Sequence, residues 1–166
     1  MTFLSQARSQ LVTTIFVGAR QPNPMASVSD DTLSSVLDYS QLAIVGCSAT
    51  PGKAAHEVPA YLQRHGYTIH PVNPFADAVL GEPTVDSLTE IDPATQIDVV
   101  TVFRPSDEVA GIVDDVLARR DSVGDVEALW LQLGIHDDNA VKRAEAAGLT
   151  VIEDRCMMVE HGRLRK

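Results

Sequence analysis

The chain has 166 residues, of which 45% are hydrophobic and 22% charged, the length and composition of one globular domain rather than of a disordered or fibrous chain. Lys and Arg number 13 against 23 Asp and Glu, a formal net charge of -10, so the protein repels a phosphate backbone and nucleic acid is excluded as an expected partner. Aromatic residues make up only 5%, which leaves an aliphatic core.

Residues 1–31 stand apart from the rest. A short apolar stretch, Leu11 to Val17, is followed by Gly18, Pro22 and Pro24, and Met25 precedes a polar Ser/Asp segment. The stretch is too short to cross a bilayer and forms no clean signal core, so no membrane association is expected. The segment reads as a disordered extension, or as an addition upstream of a natural start at Met25, with the domain proper at residues 32–166.

From Thr32 onward the pattern is regular. Thr32 to Leu37 has helical spacing, and Gln41 to Val45 is a short apolar run ending at Gly46, a buried strand. A helix is predicted from Ala54 to His65, with Val58, Tyr61 and Leu62 on one face; Pro59 fits only near its first turn. Tyr67 to Val72 is the next strand, broken at Asn73-Pro74. Val79 to Gly81 and Ser87 to Ile91 predict a short strand and a turn of helix. Ile97 to Phe103 is the strongest strand, a β-branched run of the kind a sheet buries on both faces, and belongs near the sheet centre. Ser106 then caps a helix with Asp107 and Glu108 in its first turn and Val109, Ile112, Val113, Val116 and Leu117 along one stripe. Ala128 to Leu133, a helix from Asp137 or Asp138 to Gly148, and Leu149 to Ile152 complete the alternation. The fold class it specifies is α/β, a single-domain, Rossmann-like, doubly wound and mostly parallel sheet.

Only three Lys (Lys53, Lys142, Lys166) stand beside ten Arg. An acidic, Lys-poor surface suits a salt-rich, halophilic cytoplasm, where charge is screened within a few Å; an ordinary acidic protein is the alternative. Cys47 and Cys156 lie far apart without metal-ligand spacing, so a reduced, cytoplasmic protein without a metal is expected.

In such sheets ligands bind beyond the carboxyl ends of the strands, where strand order reverses. The loop Gly46-Cys47-Ser48 to Pro51-Gly52-Lys53 sets small residues, a hydroxyl and a lysine ahead of a helix N-terminus, a place that attracts phosphate. A plain βα turn is the alternative, and neither GxGxxG nor GxxxxGK[ST] is present. At the second strand end Asn73-Pro74 replaces the acidic residue that a NAD site would place there, which favours a different ligand, although a simple Asn-Pro turn accounts equally for those two residues. The remaining strand ends carry Phe103-Arg104, Gln132-Leu133-Gly134 and Asp154-Arg155-Cys156.

Together these residues resemble a known family. Ala43 to Ser48 with Pro51 and Lys53, Gly66-Tyr67, Pro71 to Pro74, Gly81-Glu82, Asp98 to Val100 with Val102 to Arg104, Trp130 to Ile135, and Asp154 to Cys156 with Glu160-His161 are similar to stand-alone coenzyme A-binding domain proteins. These in turn resemble the CoA-binding domain of succinyl-CoA synthetase alpha subunits and ADP-forming acyl-CoA synthetases. The similarity runs from Asp38 to Leu164, with Thr84 standing where many relatives carry an aromatic residue. It implies that Gly46, Cys47, Ser48 and Lys53 line the phosphate end of CoA, that Asn73 and Pro74 approach the adenosine, that Phe103 and Arg104 border the nucleotide and pantetheine, and that Gln132 and Gly134 close the groove. Lys53 and Arg104 are credible partners for its phosphates.

The synthetases need a phosphohistidine domain and an ATP-grasp module, and neither is expected here. The expectation is a non-catalytic binder of CoA or acyl-CoA, with a partner enzyme subunit or a homo-oligomer as further possibilities. The alternatives are the CoA-binding subunit of a split synthetase and a NAD(P)-binding protein. Asp114-Asp115 and Asp137-Asp138 are assigned to solvated surface, and the histidines to structural roles, with His161 a candidate to cover the groove. A mixed disulfide of Cys47 or Cys156 with CoA is a further possibility.

Overall fold

The computed structural model describes residues 28–166; the expectations about Met25 and the residues before it lie outside the described residues. The elements follow in the order α1 (Asp30–Leu37), β1 (Gln41–Val45), α2 (Ala54–Arg64), β2 (Thr68–Val72), β3 (Ala78–Val79), β4 (Glu82–Pro83), β5 (Val99–Val102), α3 (Val109–Val123), β6 (Ala128–Leu131), α4 (Asp138–Ala146), β7 (Thr150–Ile152) and α5 (Met157–Leu164). Five strands form one sheet in the order β2-β1-β5-β6-β7, every pair parallel. The chain therefore leaves β1 toward one edge and returns across it to β5. That reversal opens a crevice between the carboxyl ends of β1 and β5, where such sheets bind ligands.

Every residue of β5 and β6 is buried, and their side chains alternate between two cores. Ala43, Val45, Val100, Val102, Leu129 and Leu131 pack with the apolar stripe of α3 and with α4. Leu42, Ile44, Val99, Trp130 and Ile152 pack with α1, α2 and α5 on the opposite face. The sheet is thus covered on both sides, as its continuous apolar runs require.

Several local expectations change. Ser29 caps α1 by accepting from the Thr32 amide at 3.2 Å, so that helix opens at Asp30. β5 begins two residues later than its apolar run, because the Ile97 amide donates at 3.0 Å to the buried Asp125 carboxylate. Val79 and its neighbours form an antiparallel hairpin, β3 with β4, turned by Leu80 (φ 53) and Gly81 (φ 81), the two left-handed residues of a type I′ turn. Ser106 to Glu108 is a 3-10 turn leading into α3 rather than its first α-helical turn, and the Ser106 hydroxyl instead accepts from the His136 amide at 3.1 Å.

The terminal helix α5 was not expected from sequence. Its N-terminus is held by Gln132, whose Oε1 accepts from the Met157 amide at 3.0 Å. Arg163 pairs with Asp30 and Glu160, each at 2.7 Å, and Arg165 with Asp38 at 2.5 Å, which ties α5 to α1. His161 is buried against α2, with Nδ1 3.0 Å from the Tyr61 hydroxyl, and that burial pushes its imidazole below the ordinary histidine range. It therefore supports helix packing and lies outside the lining of the pocket described next.

Candidate functional site

A pocket of about 580 Å³ opens at the crevice between β1 and β5, within the size range of small-molecule sites. Gly46, Cys47, Ser48, Lys53, Asn73, Pro74, Phe103 and Arg104 all line it. The same wall includes Phe75, the segment Asp86 to Leu88, and Glu108, Ile112 and Asp115 of the α3 side.

The β1-α2 loop is rigid for a reason found inside the following helix. Pro59 is the sixth residue of α2, deeper than a first-turn position, and without an N–H it leaves the Ala55 carbonyl unbonded in the helix. The Ser48 amide takes that carbonyl at 2.9 Å. The Ser48 carbonyl meets His56 Nδ1 at 2.8 Å, its hydroxyl accepts from the Thr50 amide at 3.1 Å, and Glu57 accepts from the Gly52 amide at 2.9 Å. The proline that looked like a limit on the helix start thus anchors the loop. Lys53 is the N-cap of α2 and makes no ion pair among the described residues.

Arg104 is placed differently from Lys53. Its side chain crosses Gly46, and its Nε and Nη2 donate to Glu108 at 2.6 and 2.8 Å. The guanidinium holds the Glu108 carboxyl below its usual range. This charge is already balanced, which leaves Lys53 as the unpaired cation of the pocket among the described residues.

Asn73 joins two of the loops. Its Nδ2 donates to the Cys47 carbonyl at 2.9 Å and its Oδ1 accepts from the Phe75 amide at 2.7 Å. Those bonds fix Phe75 at the rim with its side chain 91% exposed. Thr84 supports the neighbouring hairpin by donating to the Ala76 carbonyl.

Gln132 and Gly134 stand outside the pocket lining. Gln132 is turned inward to cap α5, leaving its Nε2 without a partner among the described residues, and the Gly134 amide donates to Asp154 Oδ1 at 2.7 Å. Cys156 also lies outside that lining, as the N-cap of α5.

Asp115 corrects its assignment to solvated surface. Glu108, Ile112 and Asp115 follow the i, i+4, i+7 spacing of one helical face, and Asp115 is half-buried in the pocket wall. That spacing was legible beside the apolar stripe. Phe75 had no such signal, since an aromatic after Asn-Pro has no periodicity to mark it.

Cys47 is 1% exposed, and desolvation pushes its thiol up to about 12. The thiolate needed for disulfide exchange is therefore suppressed. Alkylation of the folded protein with iodoacetamide near neutral pH is expected to leave Cys47 unmodified, with labelling only after denaturation. Carboxamidomethyl-Cys47 in a peptide map of the native protein would contradict this.

The parallel sheet, covered by helices on both faces, defines a Rossmann-like α/β domain. The sequence profile of the coenzyme A-binding domain family matches residues 40–162, and the chain belongs to that family. A Bacillus subtilis (strain 168) protein, "Uncharacterized protein YneT", is 36% identical over 138 residues, 82% of this chain and 97% of that one. A solved Thermus thermophilus structure, cell-free ID.343, superposes with a TM-score of 0.75 at 36% identity, covering 82% of this chain and 99% of that chain. The dinucleotide-forming acetyl-coenzyme A synthetase 1 of Candidatus Korarchaeum cryptofilum, in complex with phosphate and ADP, shares the fold with a TM-score of 0.59 at 24% identity, over 76% of this chain and 28% of that one. Among the described residues no helix is long and apolar enough to cross a membrane.

Proposed function

We propose that the protein is a non-catalytic binder of coenzyme A or an acyl-CoA, holding the ligand at the carboxyl ends of β1, β2 and β5 with its phosphates on the Gly46 to Lys53 loop. The observation that carries this is the convergence of that loop with Asn73, Pro74, Phe103 and Arg104 on one pocket, in a chain of the CoA-binding domain family. Lys53 and the amides at the N-terminus of α2 supply positive potential for the phosphates, on a protein whose net charge otherwise opposes an anion.

Calorimetric titration of the full chain at molar salt with CoA, acetyl-CoA, NAD and NADP tests this reading. CoA and acetyl-CoA are expected to bind and the nicotinamide dinucleotides to fail. Binding only to a nicotinamide dinucleotide, or to none of the four, overturns it.

A further inference from the structure

We infer that Asp115 selects the base of the bound nucleotide, its carboxylate accepting a hydrogen bond from the exocyclic amine of adenine at the α3 end of the pocket. This rests on the CoA reading above and specifies how the nucleotide lies within the same pocket.

The charges along the pocket give the ligand a direction. Lys53 lines the pocket from the N-terminus of α2 and Asp115 lines it from α3, while Arg104 and Glu108, which also line it, are paired with each other. Phosphates are attracted to Lys53 and repelled from Asp115. The base, which is neutral, then falls at the α3 end.

That end has the surfaces a base needs. Leu88 and Ile112 supply apolar walls. Phe75 stands beside them at the rim, because the Asn73 amide bonds the Val85 carbonyl just before Asp86. Its exposed ring is available to cover the face of a heterocycle, the arrangement aromatic side chains favour with flat π systems.

Asp115 then supplies the polar contact. Its carboxylate has no hydrogen-bond or ion-pair partner among the described residues, and partial burial beside Asp114 raises its pKa. A half-buried acceptor without a partner gains from a donor, and a carboxylate accepts only from one. The amine of adenine is such a donor. Deleting that amine leaves the carboxylate facing a C–H, so the loss is read directly as base preference.

The test compares adenosine 3′,5′-bisphosphate, the nucleotide half of CoA, with the counterpart whose base is unsubstituted purine, hydrogen replacing the amine. Both are titrated into the wild-type full chain and into Asp115→Ala, with CoA as a third ligand. On the wild type the adenosine compound is expected to bind about tenfold or more tightly than the purine compound. In the variant the two should agree within about twofold. Equal binding of the two to the wild type overturns the inference, and so does a preference that survives in Asp115→Ala with an unchanged melting curve. If CoA binds the wild type without any base preference, only the role of Asp115 falls. If neither CoA nor either bisphosphate binds, the site reading falls and takes this inference with it.

Discussion

Replacing Arg119 by Met is expected to lower stability by about 3–5 kcal/mol, the range for breaking a buried ion pair on one side. Arg119 and Asp125 have side chains only 3% exposed, at the amino end of the sheet, with Arg119 one helical turn beyond Asp115 on α3. The guanidinium donates to Asp125 at 2.8 and 3.1 Å, to the Ile91 carbonyl at 2.9 Å and to the Thr95 carbonyl at 2.7 Å. Asp125 in turn accepts from the Ile97 amide. Removing the arginine strands a carboxylate and the Ile91 carbonyl away from water, and loosens both the entry to β5 and the turn that carries Leu88 into the pocket. For a chain of this length the melting temperature should fall by about 6–20 °C. The double variant Arg119→Met with Asp125→Leu should recover part of that loss, since no charge is then left buried. Urea unfolding midpoints decide it: a single variant within about 1 kcal/mol of wild type would show that the pair carries little.

Gly46→Ala is expected to damage stability and binding together. Gly46 has φ +83, and a Cβ there would stand 2.7 Å from Arg104 Cδ, 3.0 Å from its Cγ and 3.3 Å from the Phe103 carbonyl carbon. A left-handed alanine costs about 1–2 kcal/mol before any contact. Gly52, with φ +88 and nothing within 4 Å of its Cβ position, separates the two costs. Gly52→Ala should show only the conformational part, a few degrees in melting temperature, whereas Gly46→Ala should exceed it and also weaken CoA binding by about tenfold or more, because Arg104 and the β1 end must move apart. Trimming the arginine in Gly46→Ala with Arg104→Ala should narrow the difference but not close it, since the Phe103 backbone remains. Equal melting temperatures for the two glycine variants would contradict the close packing of Arg104 on Gly46.

The sheet was legible because continuous apolar runs such as Ile97 to Phe103 have few alternatives to a strand buried on both faces. The loops at their carboxyl ends followed from that topology, and the pocket lining includes the residues of three of them. Other features depend on distant partners and leave no local mark. Helix α5 mixes Glu160, His161 and Arg163 without a clean stripe, and it is held by Gln132 and by charges on α1. Gln132 was placed at the groove by the family resemblance, and its side chain caps that same helix, a contact no local pattern marks. Arg119 on α3 reads as a solvated cation until Asp125 is brought beneath it. Asp115 was assigned to solvent because adjacent carboxylates on a helix usually are, and the face it shares with Glu108 and Ile112 gains meaning only once the 86–88 segment lies opposite.

On the proposed reading, the phosphates of a CoA-type ligand rest on the loop ending at Lys53. Titrating CoA into the wild type and into Lys53→Ala under identical salt tests it most directly. Binding to the wild type and about tenfold or greater weakening in the variant are expected, the scale of losing one charge-assisted hydrogen bond, with an unchanged melting temperature because Lys53 is exposed. Equal CoA affinity in the two proteins would contradict it and place the phosphates elsewhere.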